Sequence, residues 1–242
     1  MPQEQELRGG FVGTTVLVDG TVRRTPTSPY VRQVLGHFAD QEWPGAPRCL
    51  GSDAQGRDMF TFVPGLVPWE YDERVAAVGS LTELARLVRA AHDLTAGHRL
   101  AAGAEVVCHN DLSYRNTVYR DEGRLLRPVA LIDWDLAGPG RRVHDVAHLC
   151  WQFLRLGPGR ETDWAGPRMR AVADAYGLAG TDRADLVATV LWWQDRCRQG
   201  IEQGAADGDP AMVGLCRRGV PQEVRAAQSW TAARQQELTA FL

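Results

Sequence analysis

The chain is predicted to be an α+β protein of two unequal lobes, a small β-rich N-lobe and a larger helical C-lobe. Three observations predict it. A two-residue turn, Asp19-Gly20, joins two short β-favouring runs near the start. The hydrophobic period changes from strand-like to helical at about Asp72. Between these regions Pro64-Gly65 interrupts both patterns, so residues 1–65 are expected as the small lobe and residues 66–242 as the large one.

The elements follow in order. Thr15 to Val18 and Thr21 to Arg24 flank Asp19-Gly20, and a tight hairpin turn needs positive φ at both of those positions. A helix is expected from Tyr30 to Asp40, because Val31, Val34, Leu35 and Phe38 share one face. Pro44, Gly45 and Pro47 end it. A second hairpin is expected from Arg48 to Leu50 and Met59 to Val63, around the polar turn Ser52 to Arg57. Beyond Asp72, Leu81, Leu84, Val88 and Ala91 form a buried helical stripe ending near His92. A loop and hairpin then occupy Val106 to Trp134. Helices are expected from Asp145 to Leu156, Trp164 to Tyr176, Arg183 to Gln203 and Val220 to Phe241.

Bulk properties narrow the function classes. A net charge of −3, with no basic stripe interleaved with aromatics, opposes a nucleic-acid binder. No apolar run approaches the roughly 18 residues of a membrane helix, and the polar start MPQEQELRGG is not a secretory signal. The five cysteines are scattered without CxxC spacing, which fits reduced thiols and a cytoplasmic protein. All 27 basic side chains are arginine, so any chemistry that commonly uses lysine must use something else here.

The chemistry-bearing stretch is Val106-Val107-Cys108-His109-Asn110-Asp111-Leu112-Ser113-Tyr114-Arg115-Asn116, continuing to Ile132-Asp133-Trp134-Asp135. Asn116 to Arg120 and Val129 to Asp133 read as antiparallel partners. A symmetric register sets Asn116 opposite Asp133, and opposed residues share a face roughly 5 Å apart. An amide oxygen and a carboxylate converging there make a hard-oxygen site suited to magnesium. Asp111, on the preceding loop, can sit beside them and take a proton from an acceptor hydroxyl.

HxDxxxxN followed by IDWD resembles the catalytic loop and metal-binding strand end of aminoglycoside phosphotransferase-like kinases, relatives of the protein kinases. NTVYR, ALIDWDLAGPG and the following Asp145-Val146-Ala147 are similar to a bacterial branch of phosphotransferases and trifolitoxin-immunity-like proteins. TVRR, PGAPRCLG and FVPG resemble that branch's small lobe. The resemblance implies a protein-kinase-like two-lobed fold and transfer of the γ-phosphate of ATP or GTP, with Mg2+, to a hydroxyl of a small molecule. Aminoglycosides, other antibiotics and metabolic alcohols are all open as acceptors. By position, Asp111 resembles the catalytic base and Asn116 and Asp133 the metal ligands. Asp135 resembles an additional charge near the metal, and His109 and Asp145 resemble residues that brace the loop.

Two features depart from the kinase pattern. A strand lysine there contacts the phosphates and pairs with a helix glutamate. Here the strand ends in Arg23-Arg24, the candidate nucleotide-binding pair, and the helix from Tyr30 to Asp40 holds no glutamate. One of the two arginines must face inward, since strand neighbours alternate. Gly9, Gly10 and Gly13 stand where a glycine-rich phosphate loop is expected. These departures keep open an alternative, a kinase-scaffold binding or immunity protein with little or no transfer activity.

Overall fold

The computed structural model describes residues 4–7 and 15–242; Gly9, Gly10 and Gly13 lie outside the described residues. The small lobe is built from β1 (Gln5–Leu7), β2 (Thr15–Val18), β3 (Thr21–Arg24), α1 (Pro29–Asp40), β4 (Cys49–Ser52) and β5 (Asp58–Thr61). Its strands form one antiparallel sheet in the order β1-β2-β3-β5-β4. Val18 pairs with Thr21 across the first hairpin, and Asp19 and Gly20 take φ of 50° and 75°, the conformation that a two-residue turn demands. α1 begins where the Ser28 hydroxyl accepts from the Val31 N–H, with Pro29 in the first turn. It buries Val31, Val34, Leu35 and Phe38, the face that its periodicity predicts.

The helical lobe contains α2 (Val78–Thr95), β6 (Val106–Cys108), β7 (Thr117–Asp121), β8 (Leu126–Leu131), β9 (Gly138–Gly140), α3 (Arg142–Leu154) and α4 (Thr162–Tyr176). It is completed by α5 (Gly180–Ala184), α6 (Leu186–Ala206), α7 (Pro210–Arg217), α8 (Val220–Ala233) and α9 (Gln235–Thr239). Two expected helices are divided, the first at Asp185 and the last at Arg234. α7 was not anticipated, although its signal is present: the Asp209 side chain accepts from the N–H groups of Ala211 and Met212, and Pro210 fills the first turn.

The chain passes close against β7 at Gly65, whose φ is 157°. A Cβ there would stand 2.4 Å from Val118 Cγ1 and 2.7 Å from the Tyr119 oxygen. Only glycine lets the chain pass this close, after which Leu66 and Tyr119 exchange two backbone hydrogen bonds of 2.8 Å.

A single apolar core runs through both lobes, from Val34 and Phe38 of α1 through Trp134 to Leu149 and Met169. Trp134 is the joint. Its ring meets Phe38 at 5.0 Å and His109 at 4.6 Å, and its Nε1–H donates to the Leu131 oxygen. Burying such a ring contributes several kcal/mol, on the order of 2–3 for the side chain alone, so the segment carrying it is fixed rather than free to swing. No helix among the described residues is long and apolar enough to cross a membrane.

Candidate active site

β6 delivers a loop whose shape is set by one buried carboxylate. Asp145, on the first turns of α3, is 1% exposed. Its Oδ2 accepts from the His109 N–H at 2.6 Å and its Oδ1 from the Asn110 N–H at 2.9 Å. Asn110 is thereby held in a left-handed conformation, φ 63°, which turns the chain sharply before Asp111. His92 of α2 supplies a third donor to Asp145, at 3.0 Å from Nε2, while its Nδ1 lies 2.7 Å from the Tyr176 hydroxyl. Arg142 in turn donates to that hydroxyl at 3.3 Å. The donors form one ordered chain, Arg142 to Tyr176 to His92 to Asp145. Burial would raise the Asp145 pKa, but the hydrogen bonds it accepts from His92 and from the His109 N–H hold it down at about 2.

His109 faces inward from the same turn. Its Nδ1 accepts from the Asp111 N–H at 3.3 Å, so Nε2 carries the proton and donates to the Ile132 oxygen at 3.0 Å. Burial lowers its pKa, which keeps this imidazole neutral. The side chain ties the loop to the segment after β8 that carries Asp133.

Asp111, Asn116 and Asp133 are each half-buried, within reach of solvent. The Asn116 amide nitrogen donates both to the Asp111 oxygen, at 2.9 Å, and to Asp111 Oδ2, at 2.8 Å. That leaves the amide oxygen available to a cation. Burial and the neighbouring Asp133 charge push the Asp111 pKa up to about 7, against the Asn116 hydrogen bond that lowers it.

The register of the hairpin differs from expectation. Thr117 pairs with Leu131 and Val118 with Ala130, and the Ile132 N–H donates to the Asn116 oxygen, so Asn116 stands opposite Ile132 and not Asp133. A one-residue slip in a regular ladder would put the two side chains on opposite faces. Neither residue obeys the ladder. Asn116 closes a 3-10 turn, Tyr114–Asn116, and Asp133 leaves the strand with φ 64°. The left-handed step at Asp133 is followed at once by the anchored Trp134, with Asp135 exposed on its far side.

Arg24 reaches this point from the small lobe. Its Nη1 donates to Asp133 Oδ1 at 2.9 Å and its Nη2 to Asp135 Oδ2. Arg23 is not brought to the site: it lies 3.6 Å from Asp53, in the turn between β4 and β5. Of the residues expected from the sequence, Asp111, Asn116, Asp133, Asp135, His109, Asp145 and Arg24 form one constellation. The donors offered by Asn116 and Asp133, an amide oxygen and a carboxylate, are the hard oxygens that magnesium takes. A second set of possible ligands, His92, Cys108 and Asp145, lies within 4.8 Å. Those atoms are already engaged in hydrogen bonds, with the Cys108 thiol donating to the Arg141 oxygen at 3.2 Å.

A family model described as the phosphotransferase enzyme family matches residues 46–187, a span that includes the whole loop, hairpin and bracing network. The chain belongs to the phosphotransferase enzyme family. Among relatives of this phosphotransferase, a trifolitoxin immunity protein of Rhizobium leguminosarum bv. trifolii is 28% identical, with 79% of this chain and 80% of the relative covered. The fold is that of the protein-kinase-like enzymes. The GDP and kanamycin complex of an aminoglycoside phosphotransferase superposes with a TM-score of 0.62 at 14% identity, covering 93% of each chain. A Plasmodium vivax ethanolamine kinase superposes with a TM-score of 0.68 at 10% identity, covering 96% of this phosphotransferase and 83% of that chain.

Sequence reasoning missed His92, Tyr176 and Asn110. His92 closes an otherwise apolar helical stripe, and a buried imidazole must find partners; that was the available signal. Tyr176 and the backbone of Asn110 carried none, because their roles arise from tertiary placement. The direct reach of Arg24 to Asp135 was likewise not legible.

Proposed function

We propose that this phosphotransferase moves the γ-phosphoryl group of ATP or GTP to a hydroxyl of a small molecule. The observation that carries this reading is the hydrogen-bonded junction of Asp111 and Asn116 beside Asp133. In it, Asp111 Oδ accepts the acceptor's proton as its oxygen bonds to the γ-phosphorus. The bond from that phosphorus to the bridging oxygen breaks, and the nucleoside diphosphate leaves with the electron pair. Asn116 and Asp133 would hold Mg2+, which when bound supplies charge neutralisation on the phosphates. Arg24 is the cation placed to reach those phosphates and Asp135 adds negative charge beside it, while Asp145 and His109 position the loop. We place the lobe division at 65/66, where Gly65 passes against the β7 backbone.

A second reading, a binding or immunity protein on the same scaffold with little or no transfer, is favoured by the similarity to the trifolitoxin immunity protein. Two measurements separate them. Mg-ATP and Mg-GTP are titrated in a thermal-shift assay, where a hundredfold excess over the dissociation constant stabilises by about 2.7 kcal/mol. Nucleoside diphosphate release is then followed across a panel of aminoglycosides, other natural products and amino alcohols. Acceptor-dependent release that Asp111→Asn abolishes supports transfer. Stabilisation by nucleotide without any acceptor-dependent release favours the binding reading.

A further inference from the structure

Arg24 spans from β3 of the small lobe to the segment after β8, 109 residues away in the chain, and divides its two terminal nitrogens between two acids. One of those acids, Asp133, is the residue placed to hold a divalent cation. The pair is well defined on both sides. Trp134, 2% exposed, sits between the two aspartates and fixes their backbone, and Asp133 is locked in its left-handed turn. A planar guanidinium matches two carboxylates held this way better than a flexible ammonium would. α1 offers no substitute counter-ion. Its single acid is Asp40, at the far end, and among the described residues the ion pairs of Arg24 are with Asp133 and Asp135.

A divalent ion on Asp133 and a guanidinium on the same carboxylate repel one another at contact distance. The site therefore has two exclusive arrangements. In one, Arg24 neutralises Asp133 and Asp135. In the other, a divalent cation takes Asp133, and Arg24 needs a new anionic partner, which a polyphosphate supplies. We infer that Arg24 is a resident cation that closes the divalent site in the nucleotide-free protein, so that metal and nucleotide bind with mutual positive coupling. The inference rests on the proposed function, and it adds an obligatory linkage between the two ligands. By reciprocity, whatever factor the nucleotide adds to metal affinity, the metal adds to nucleotide affinity.

The test uses Mn2+ as the probe, titrated into the protein with and without ATP and followed by the electron paramagnetic resonance signal of free Mn2+, with an ATP-only titration subtracted so that Mn2+ chelated by ATP in solution is not counted as protein-bound. The wild type is expected to bind Mn2+ weakly alone and at least about tenfold more tightly with ATP present, two partly exposed ion pairs being traded for phosphate contacts. Arg24→Ala is expected to bind Mn2+ about tenfold more tightly than the wild type without nucleotide, and to lose most of the coupling. Arg24→Lys, which keeps the charge and gives up the fork, falls between them and serves where the alanine variant melts early. If Arg24→Ala and Arg24→Lys leave nucleotide-free Mn2+ affinity at the wild-type value while Asp133→Asn still removes Mn2+ from the ATP-loaded protein, the inference is wrong and the metal assignment stands. If Asp133→Asn has no effect on Mn2+ with ATP, the metal assignment itself fails and the inference falls with it.

Discussion

Asp145→Asn is the sharpest perturbation available, because it removes one charge and no volume from the centre of the bracing network. The carboxylate accepts from the N–H groups of His109 and Asn110 and from His92 Nε2, at 2.6, 2.9 and 3.0 Å. An asparagine can keep one oxygen toward one backbone donor. Its NH2 must then face the other N–H, donor against donor. Hydrogen bonds to a charged group are worth about 1.5–3 kcal/mol each, so losing one outright and weakening two gives an expected destabilisation of about 3–5 kcal/mol. Urea unfolding at pH 7 with linear extrapolation measures it. The pH dependence gives an independent check. The folded Asp145 pKa lies at about 2, below the ordinary aspartate value of about 3.9. Its stabilisation is therefore present above pH 4 and is lost as pH falls from about 4 toward 2. The variant loses that part of the acid slope. A destabilisation under about 1 kcal/mol at pH 7, together with an unchanged slope between pH 2 and 4, would refute the claim that this carboxylate shapes the loop.

Other substitutions test separate parts of the site. Asp111→Asn should lower turnover by about 10²–10⁴-fold, as measured by nucleoside diphosphate release, because a general base contributes that much. It should leave the melting temperature at pH 8 unchanged or higher, since burial already penalises the Asp111 charge. Arg23→Ala, remote from the acids, should leave ATP affinity within about twofold of wild type, whereas Arg24→Ala should weaken it by about tenfold in isothermal titration at saturating magnesium; equal effects would overturn the assignment of Arg24 as the inward arginine. His148 is 5% exposed and its Nδ1 has no hydrogen-bond partner, and burial lowers its pKa to about 4. The unfolded chain protonates this group first, so stability should fall as pH drops from about 6.5 to 4, and His148→Leu should flatten that limb of the urea-midpoint profile.

The fold was legible where local signals were redundant. Asp19-Gly20 demanded a two-residue hairpin, and four apolar residues on one face of α1 demanded a helix docked on a core. Helix ends were less so. α5 and α6 read as one helix because nothing in their composition marks the break at Asp185. The site was legible as a set of residues and not as a geometry. Spacing put Asn116 and Asp133 at the same mouth of a hairpin, but the symmetric register that sets them opposite each other is not the one the chain adopts. Both residues depart from the strand rules, through a 3-10 turn on one side and a left-handed residue on the other, and such exceptions are seldom visible without the tertiary contacts that hold them. The choice between Arg23 and Arg24 was likewise open until the sheet's orientation was known.

The bracing network explains how so small a protein can hold a loop in this shape. His92 comes from α2, Asp145 and Arg142 from α3 and Tyr176 from the last turn of α4. Three helices thus converge on two backbone N–H groups of one loop. Each helix is fixed by its own apolar face, so the loop inherits the rigidity of the helical lobe, and Asp145, His92 and Tyr176 each have a hydrogen-bond partner within the network. Arg24 stands in contrast. It is the link from the sheet to the acids, it is only partly buried, and its partners are exposed by 32% and 42% at the side chain. Ion pairs with that much solvent access contribute little to stability and exchange partners readily. The division is a physical one: buried hydrogen bonds shape the loop that holds Asp111, while a partly exposed, exchangeable salt bridge covers the two acids that the proposed function assigns to the metal and its surroundings.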